Sequence, residues 1–193
     1  WFHFREGRWL KYSGFLKDYA YYWLKGGGDT HSYSFPVAHA IYQYCQITGN
    51  YQLLKELYPE LLQNYSEWKK KKFIAEKGLF WQKDGEDGME ISIGGHGFRV
   101  TINSYMAAEA ATLSKIAHWK NDNQAQALET EACRMKENMF KYLWDPKAEF
   151  LKVLSVEKNA SLKDVRELHG YTPWAFDLAS ADYAVAWKFL MNT

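Results

Sequence analysis

The sequence has few cysteines, no long hydrophobic run and almost no net charge, and each shortage excludes a class of protein. Its two cysteines, Cys45 and Cys133, lie far apart within helical patterns. Neither a disulfide framework nor a cysteine metal site is therefore expected. The two cysteines are predicted to be small buried side chains. No run of about 18 apolar residues is present, so no membrane span is predicted. Lys and Arg number 24 against 23 Asp and Glu, and this balance does not suggest the basic surface of a nucleic-acid-binding protein.

Positive charge is concentrated only in residues 69–72, which are four consecutive lysines. The run ends a predicted helix, where cations suit the negative end of the helix dipole. We interpret it as a solvated helix end, and contact with nucleic acid is the second interpretation. The chain begins at Trp1 with neither an initiator methionine nor a signal-peptide pattern, so it is expected to be part of something longer.

Aromatic residues, in contrast, are abundant. They make up 18% of the chain, with 9 Trp, 14 Tyr and 11 Phe. Large cores use such side chains, and so do sites that hold flat or ring-shaped ligands, because Tyr and Trp combine an apolar face with a polar edge. For any single aromatic residue, core packing is the default interpretation.

Helical periodicity dominates the sequence. Apolar stripes predict helices over residues 12–23, 37–48, 53–57, 59–68, 106–117, 125–142 and 183–190, with Pro36, Gly49 and Pro59 as the boundary signals. Two short extended pieces, 78–85 and 149–156, each follow a long helix. No Pro-, Gly- or Ser-rich linker interrupts this order. We therefore predict one all-α domain of helical hairpins with short β excursions, covering residues 1–193.

Four segments are richer in polar and aromatic residues than packing requires. They are residues 1–9, 26–35, 79–105 and 164–174, and all lie at helix entrances. In a ring of hairpins, such loops would collect at one end. Arg and carboxylates bind sugar hydroxyls while aromatic faces stack on the sugar ring, so this mouth is predicted to be a sugar pocket.

The third of these segments contains a cluster of carboxylates, namely Asp84, Glu86, Asp87 and Glu90. Glycoside hydrolysis requires two carboxyl groups across the scissile bond, one of which stays protonated. Mutual repulsion in a partly buried cluster raises the pKa of at least one member. The alternative is a solvated acidic turn, which is common in proteins.

Residues 87–106, DGMEISIGGHGFRVTINSYM, resemble the catalytic-acid segment of glycosidases with an (α/α)6 toroid. In the trehalase and processing α-glucosidase I families this segment reads Ser-Gly-aromatic/Leu-Asp-x-Ser and precedes an Asn-Ser-Tyr helix start. The matching residues here are 87–92 and 103–105. Glu90 stands where those families place Asp, which moves the acid outward by one methylene group.

Mannosylglycerate-hydrolase-like domains are the closer resemblance. They are similar to this chain also at REGRWL, HSYSFPVAHAIYQ and DVRELHGYTPW, so the similarity runs nearly end to end. The resemblance implies an all-α fold that is part of an (α/α)6 toroid. It also implies a carbohydrate substrate and no cofactor. A secreted or periplasmic location would suit the family, but the sequence does not specify one.

The resemblance implies a set of site residues. Glu90 is the predicted general acid, and Asp87 is assigned with it to the catalytic site, where it caps the turn or holds a sugar hydroxyl. The residues assigned to substrate binding are Trp81, Arg99, Asn103, Tyr105, Glu167, His169, Tyr171 and Trp174. Glu167 has the role of catalytic base as a second assignment.

Each of these roles has a simpler alternative. Arg99 could form a surface salt bridge, and Asn103 could cap the helix that follows it. The aromatic rings could be core side chains. His96, between glycines, has no second His or Cys at a ligand spacing, so no metal site is predicted.

The favoured function is that of an exo-acting, inverting glycosidase. The alternatives are a non-catalytic carbohydrate-binding helical module, or another toroid enzyme such as a polysaccharide lyase or a sugar epimerase. About seven helical segments are predicted where the toroid has twelve. We therefore expect the catalytic domain to be incomplete, with its base elsewhere, and the 193 residues alone to be inactive on glycosides.

Overall fold

The computed structural model of the chain describes residues 2–88 and 91–191, and most of them are helical. Within these residues the α-helices are α1 Phe2–Gly7, α2 Phe15–Lys25, α3 Val37–Thr48, α4 Tyr51–Lys72, α5 Val100–Lys120, α6 Ala125–Leu143 and α7 Lys188–Met191. The β-strands are β1 Phe73–Ile74, β2 Leu79–Phe80, β3 Trp144–Asp145 and β4 Phe150–Leu151. The remaining helices, at Asp84–Asp87, Leu168–Phe176 and Ala181–Trp187, are 3₁₀ helices. The predicted mostly helical fold class is confirmed.

The predicted end signals of α3 are confirmed. Pro36 directly precedes the helix, where a missing amide hydrogen costs nothing because the first amides of a helix have no internal acceptor. Gly49 follows the helix with a φ of 72°, and its amide donates to the Cys45 carbonyl. α2 begins later than predicted, at Phe15. Tyr12, assigned to its apolar stripe, precedes the helix and is 79% exposed.

One continuous helix, α4, replaces the two helices predicted on either side of Pro59. Proline has no amide hydrogen, so the Lys55 carbonyl loses its helical donor, and Lys120 Nζ donates to that oxygen over 3.5 Å. Leu57 and Leu61 are fully buried whereas Pro59 is exposed. The predicted break is wrong because packing of the apolar face overrides the local cost of an exposed proline.

Each of the long helices α4 and α6 leads directly into a two-stranded antiparallel hairpin. Phe73 lies opposite Phe80 in the first hairpin, and Trp144 lies opposite Leu151 in the second. The second strand of each hairpin, β2 or β4, lies within a predicted extended piece and is buried. The first strands were not predicted, because each continues from its helix without a glycine or proline to mark the change.

The segment predicted as the last helix is a 3₁₀ helix over Ala181–Trp187 and is α-helical only over Lys188–Met191. Leu168–Phe176, predicted as a loop, is also a 3₁₀ helix and contains Pro173. 3₁₀ helices often serve as connectors, but runs of nine and seven residues are longer than usual.

The chain packs as two compact units. One contains residues up to 71 together with 105–133, and the other contains 72–104 together with the residues from 134 onward. In the first unit, α1 packs against α2 and α3. Phe4 is 3% exposed, and its ring lies 5.9 Å from the rings of both Tyr19 and Tyr44. That residues 1–193 form a single domain stays a prediction.

The core of the second unit is built on its hairpins. Phe80 and Phe150 are 0% and 1% exposed. The Phe80 ring lies 5.1 Å from that of Phe73, and the Phe150 ring lies 4.9 Å from that of Tyr171. Both contacts are edge-to-face, the arrangement that aromatic quadrupoles favour.

The alanine-rich helix α5 is closely packed. Ala107 and Ala110 are fully buried and Ala108 is 5% exposed. Among residues 2–88 and 91–191, no helix has both the length and the apolar character of a membrane span.

Only one of the two thiols is buried. Cys45 is fully buried, but Cys133 is exposed on α6, so the prediction of two buried cysteines is wrong for the second. The buried stripe of α6 runs through Ala132 and Met135, and Cys133 lies to one side of it.

Candidate active site

The residues after β2 form a loop that is closed at its base by backbone hydrogen bonds. The Gln82 amide donates to the Gly97 carbonyl over 2.9 Å, and the Gly97 amide donates to the Gln82 carbonyl over 3.0 Å. A Cβ atom on Gly97 would overlap the Leu154 carbonyl, so the close approach requires glycine. Residues 83–96, named here the carboxylate loop, therefore leave and rejoin the fold at one place.

A buried ion pair fixes the first half of the carboxylate loop. Arg99 Nε donates to Asp87 Oδ2 over 2.8 Å, and both side chains are 0% exposed. Thr101 Oγ1 donates to the same carboxylate oxygen over 2.6 Å. Buried charges are tolerated when they are paired and hydrogen-bonded, and this pair meets both conditions. The interpretation of Arg99 as part of a surface salt bridge is wrong.

Arg99 also fixes the second half of the loop. Its Nη1 donates to Ser92 Oγ over 2.9 Å and to the Gly95 carbonyl over 2.7 Å. One guanidinium therefore joins residue 87 to residues 92 and 95.

Glu167, from the polar segment 164–174, contacts the same loop. Its Oε1 accepts a hydrogen bond from Ser92 Oγ over 2.7 Å. Its Oε2 accepts from the Gly94 amide over 3.2 Å and from His169 Nε2 over 3.1 Å. The side chains of Glu167 and His169 are 11% and 2% exposed. The structure thus brings two of the four predicted polar segments together.

The charge states of this pair follow from its surroundings. Burial by itself raises the pKa of Glu167, but hydrogen bonds from Ser92 and His169 outweigh it, and the pKa lies below its ordinary value. Burial and then the charge of Arg99 lower the pKa of His169. At neutral pH Glu167 is therefore a carboxylate and His169 a neutral imidazole.

Lys72 fixes the start of the carboxylate loop and covers Trp81. Its Nζ donates to both carboxylate oxygens of Glu86 over 2.7 Å and lies 4.5 Å from the centre of the Trp81 ring. The prediction of a solvated helix end is correct for Lys70 and Lys71, which are exposed. It is wrong for Lys72, which has 14% of its side chain exposed.

Asn103 holds the backbone of β2. Its Oδ1 accepts from the Phe80 amide, and its Nδ2 donates to the carbonyls of Phe80 and Arg99, each over 2.8 Å. The side chain is fully buried and lies within α5 rather than ahead of it, so Asn103 is not a helix cap. Tyr105, half-buried, belongs to the other compact unit.

Tyr171 and Trp174 pack in an aromatic cluster. The Tyr171 ring lies 4.9 Å from that of Trp187, and the Trp174 ring lies 5.5 Å from it. Tyr171 Oη donates to the Ala186 carbonyl over 2.9 Å. Both side chains remain half-exposed, so packing uses only part of each ring.

His96 is a surface residue of the loop. It has 63% of its side chain exposed, and its Nδ1 lies 3.1 Å from Asp84 Oδ1. Among the residues that the structure describes, no group of three or more His, Cys, Asp or Glu side chains is placed to hold a metal ion.

Glu90, the predicted general acid, lies with Met89 outside the described residues. The residues that follow it alternate in exposure. Ile91 and Ile93 are 90% and 83% exposed, whereas Ser92 between them is 8% exposed.

Several residues of this network were not assigned a role from the sequence, among them Ser92, Gly94 and Thr101. Ser92 matches the last serine of the family motif, and this match could have indicated its role. Gly94 and Thr101 gave no such signal, because their contacts depend on folding.

A family model described as the mannosylglycerate hydrolase MGH1-like glycoside hydrolase domain matches residues 1–193. A comparison with curated proteins gives no match.

Among solved structures, a protein titled "Sialidase" is similar with a TM-score of 0.91 and 30% identity, over 98% of this chain and 18% of that one. A GH63 mannosylglycerate hydrolase from Thermus thermophilus, in complex with glucose, gives a TM-score of 0.69 and 14% identity, over 81% of this chain and 50% of that one. An uncharacterized conserved protein from the same organism gives a TM-score of 0.69 and 14% identity, over 80% of this chain and 51% of that one.

At 14% identity the two Thermus structures show the fold alone. With the similarity to the first structure, they confirm the predicted fold class, a helical part of an (α/α) toroid. The chain spans 18% of the first structure and about half of the other two.

Proposed function

The chain belongs to the mannosylglycerate hydrolase MGH1-like glycoside hydrolase family, and on that premise we propose that it supplies the general acid of an exo-acting, inverting glycosidase. Glu90 is the proposed acid, which protonates the leaving-group oxygen. Water activated by a second carboxylate attacks the anomeric carbon from the opposite face.

The observation that supports this role is the anchoring of the loop on both sides of Glu90. Arg99 holds Asp87 before it and Ser92 after it, and all three side chains are buried. A general acid is effective only when it is held within hydrogen-bonding reach of the leaving group. A solvated acidic turn has no need of a fully buried ion pair at its base.

Asp87 has a positioning role in this proposal. Its carboxylate is 0% exposed and accepts hydrogen bonds from Arg99 and Thr101, so its proposed role is to hold the loop. Arg99 and Asn103 are also fully buried and hold the loop and β2. The partly exposed rings of Trp81, Tyr171 and Trp174 keep the proposed stacking role, and Tyr105 keeps its proposed contact with substrate.

The base is proposed to lie outside these 193 residues. Inverting hydrolysis places the two carboxyl groups about 6.5–9.5 Å apart with a water between them. Both oxygens of Glu167 accept hydrogen bonds from protein groups, which makes it a poor activator of water. The chain also spans only part of the structures it is similar to.

The test is Glu90→Gln in the full-length protein. We expect turnover of natural glycosides to fall by about two to four orders of magnitude, the usual contribution of a general acid. Substrates with an activated leaving group need no proton and should lose far less. A variant with a normal rate on natural glycosides would exclude Glu90 as the acid. Binding without turnover by the wild-type protein would favour the carbohydrate-binding module.

A further inference from the structure

Glu167 has a buried arrangement that suits neither of its predicted roles. A carboxylate offers about four acceptor positions, and Glu167 uses three of them for Ser92, Gly94 and His169. Only 11% of its side chain is exposed. Little capacity is left for a sugar hydroxyl or for a nucleophilic water.

We propose that Glu167 is a positioning residue for the carboxylate loop, which it holds through Ser92 and Gly94. This inference rests on the proposed function of Glu90. It assigns Glu167 no contact with the substrate.

The direction of the Ser92 hydroxyl connects Glu167 to Arg99. A serine hydroxyl has one hydrogen, and Ser92 donates it to Glu167. The lone pairs of Ser92 Oγ are then free to accept from Arg99 Nη1. Glu167 therefore sets the orientation in which Ser92 receives the guanidinium, and Arg99 in turn holds Asp87 on the other side of Glu90.

Packing around Gly94 leaves no room for a side chain at that position. A Cβ atom there would lie 2.5 Å from Glu167 Oε2 and 2.8 Å from Val153 Cγ2. The loop backbone thus lies directly against the Glu167 carboxylate. A carboxylate with two hydrogen bonds to one loop restrains its translation as well as its rotation.

His169 completes the arrangement. Its Nε2 donates to the same oxygen of Glu167 that accepts the Gly94 amide. The imidazole is 2% exposed and fixes the carboxylate from the side away from the loop's serine. A Glu167→Gln variant keeps one acceptor oxygen, and its amide nitrogen can only donate. Either Ser92 or the pair of donors Gly94 and His169 would therefore lose its acceptor.

The first experiment is a double-mutant cycle in the full-length protein, with Ser92→Ala, Glu167→Gln and the double variant. Misplacement of a reacting group by about 1 Å costs roughly a hundredfold in rate. We expect each single variant to lower kcat about ten- to a hundredfold with KM nearly unchanged. The double variant should lose little more than either single variant, since both break one connection. Glu157→Gln, an exposed change of the same kind in the same unit, is the control and should leave kcat unchanged.

The pH profile of kcat/KM distinguishes misplacement of the general acid from the loss of the Glu167 charge. Ser92→Ala removes no charge. If the basic limb of the pH profile of this variant shifts to lower pH, the surroundings of the general acid have changed. Losses that multiply in the double variant, a rise in KM alone, or restoration of the Glu167→Ala rate by azide would each overturn the inference. The last result would identify Glu167 as the base.

Amide hydrogen exchange of the carboxylate loop gives a result that does not depend on catalysis. We expect the loop amides to exchange faster in Ser92→Ala and in Glu167→Gln than in the wild type or Glu157→Gln. Unchanged exchange in both variants would overturn the positioning role, whatever the kinetics. Faster exchange together with a fully active Glu90→Gln variant would reject the proposed acid while leaving the positioning of the loop established.

Discussion

Arg99 Nε and Asp87 Oδ2 lie 2.8 Å apart, and neither side chain has any surface exposed to solvent. Removing one member of a buried ion pair leaves the other charge without compensation, and that loss exceeds the net contribution of the pair itself. The pair also joins the two ends of the segment that contains Glu90.

Asp87→Ala should lower the free energy of unfolding by about 3–5 kcal/mol, the usual cost of leaving a buried charge unpaired. Urea denaturation of wild type and variant measures this difference. Lys188→Met is the matched control, since Lys188 pairs with Glu149 where both side chains are about 40% exposed. Exposed pairs contribute about 1 kcal/mol or less. Equal losses in the two variants would contradict the importance of burial.

Gly94→Ala should destabilise the protein by about 1–3 kcal/mol, because the added methyl group meets Glu167 and Val153 in a packed region. Thermal unfolding followed by circular dichroism measures the effect. Gly14→Ala is the control, since its Cβ would meet nothing within 4 Å and its φ of −55° is helical. That change should be neutral or slightly stabilising. A neutral Gly94→Ala would show that the loop can move away from the carboxylate.

Glu109 should make stability fall as pH rises. Its side chain is 1% exposed, and its Oε1 accepts from the His39 amide over 3.1 Å at the start of α3. Burial raises its pKa to about 8, partly opposed by hydrogen bonds from the His39 and Ala38 amides. Because this lies above the unfolded pKa of about 4.3, the folded state keeps a proton that the unfolded state releases.

The stabilisation is complete below the unfolded pKa of Glu109 and is lost as pH rises through the folded pKa of about 8. Between these values the slope should approach roughly 1.4 kcal/mol per pH unit. Free energies of unfolding at about pH 5, 6.5 and 8 measure it. Glu109→Gln should flatten the curve, and an identical slope in that variant would show that Glu109 titrates normally.

Pro59→Ala should stabilise the protein. The alanine amide can donate to the Lys55 carbonyl, and Pro59 is exposed, so no packing is lost. Alanine is about 3 kcal/mol better than proline inside a helix, and we expect about 1–3 kcal/mol of that to appear. Ser66→Ala, an exposed change on the same helix, should add only about 0.5 kcal/mol. A destabilised Pro59→Ala would mean that α4 depends on its proline.

The sequence predicted the fold well where a local signal decides the structure. Pro36 and Gly49 marked the ends of α3 because helix ends need special residues. Pro59 misled for the opposite reason, since its effect depends on the burial of Leu57 and Leu61, which is a tertiary property.

The candidate site was predicted as a set of segments and not as a set of contacts. Motif resemblance placed Glu167 and Arg99 at the site. It could not show that their side chains face inward, because exposure depends on how the loop folds against its neighbours. Asn103 illustrates the difference, since an asparagine near a helix start suggests a cap but here holds the β2 backbone.

The alternation of Ile91, Ser92 and Ile93 between solvent and interior divides the loop into positions that can be varied and one that cannot. A randomised library at the two isoleucines would leave every hydrogen bond of Ser92 in place. Such a library can therefore vary the exposed surface of the loop and keep the contacts through which Arg99 and Glu167 hold it.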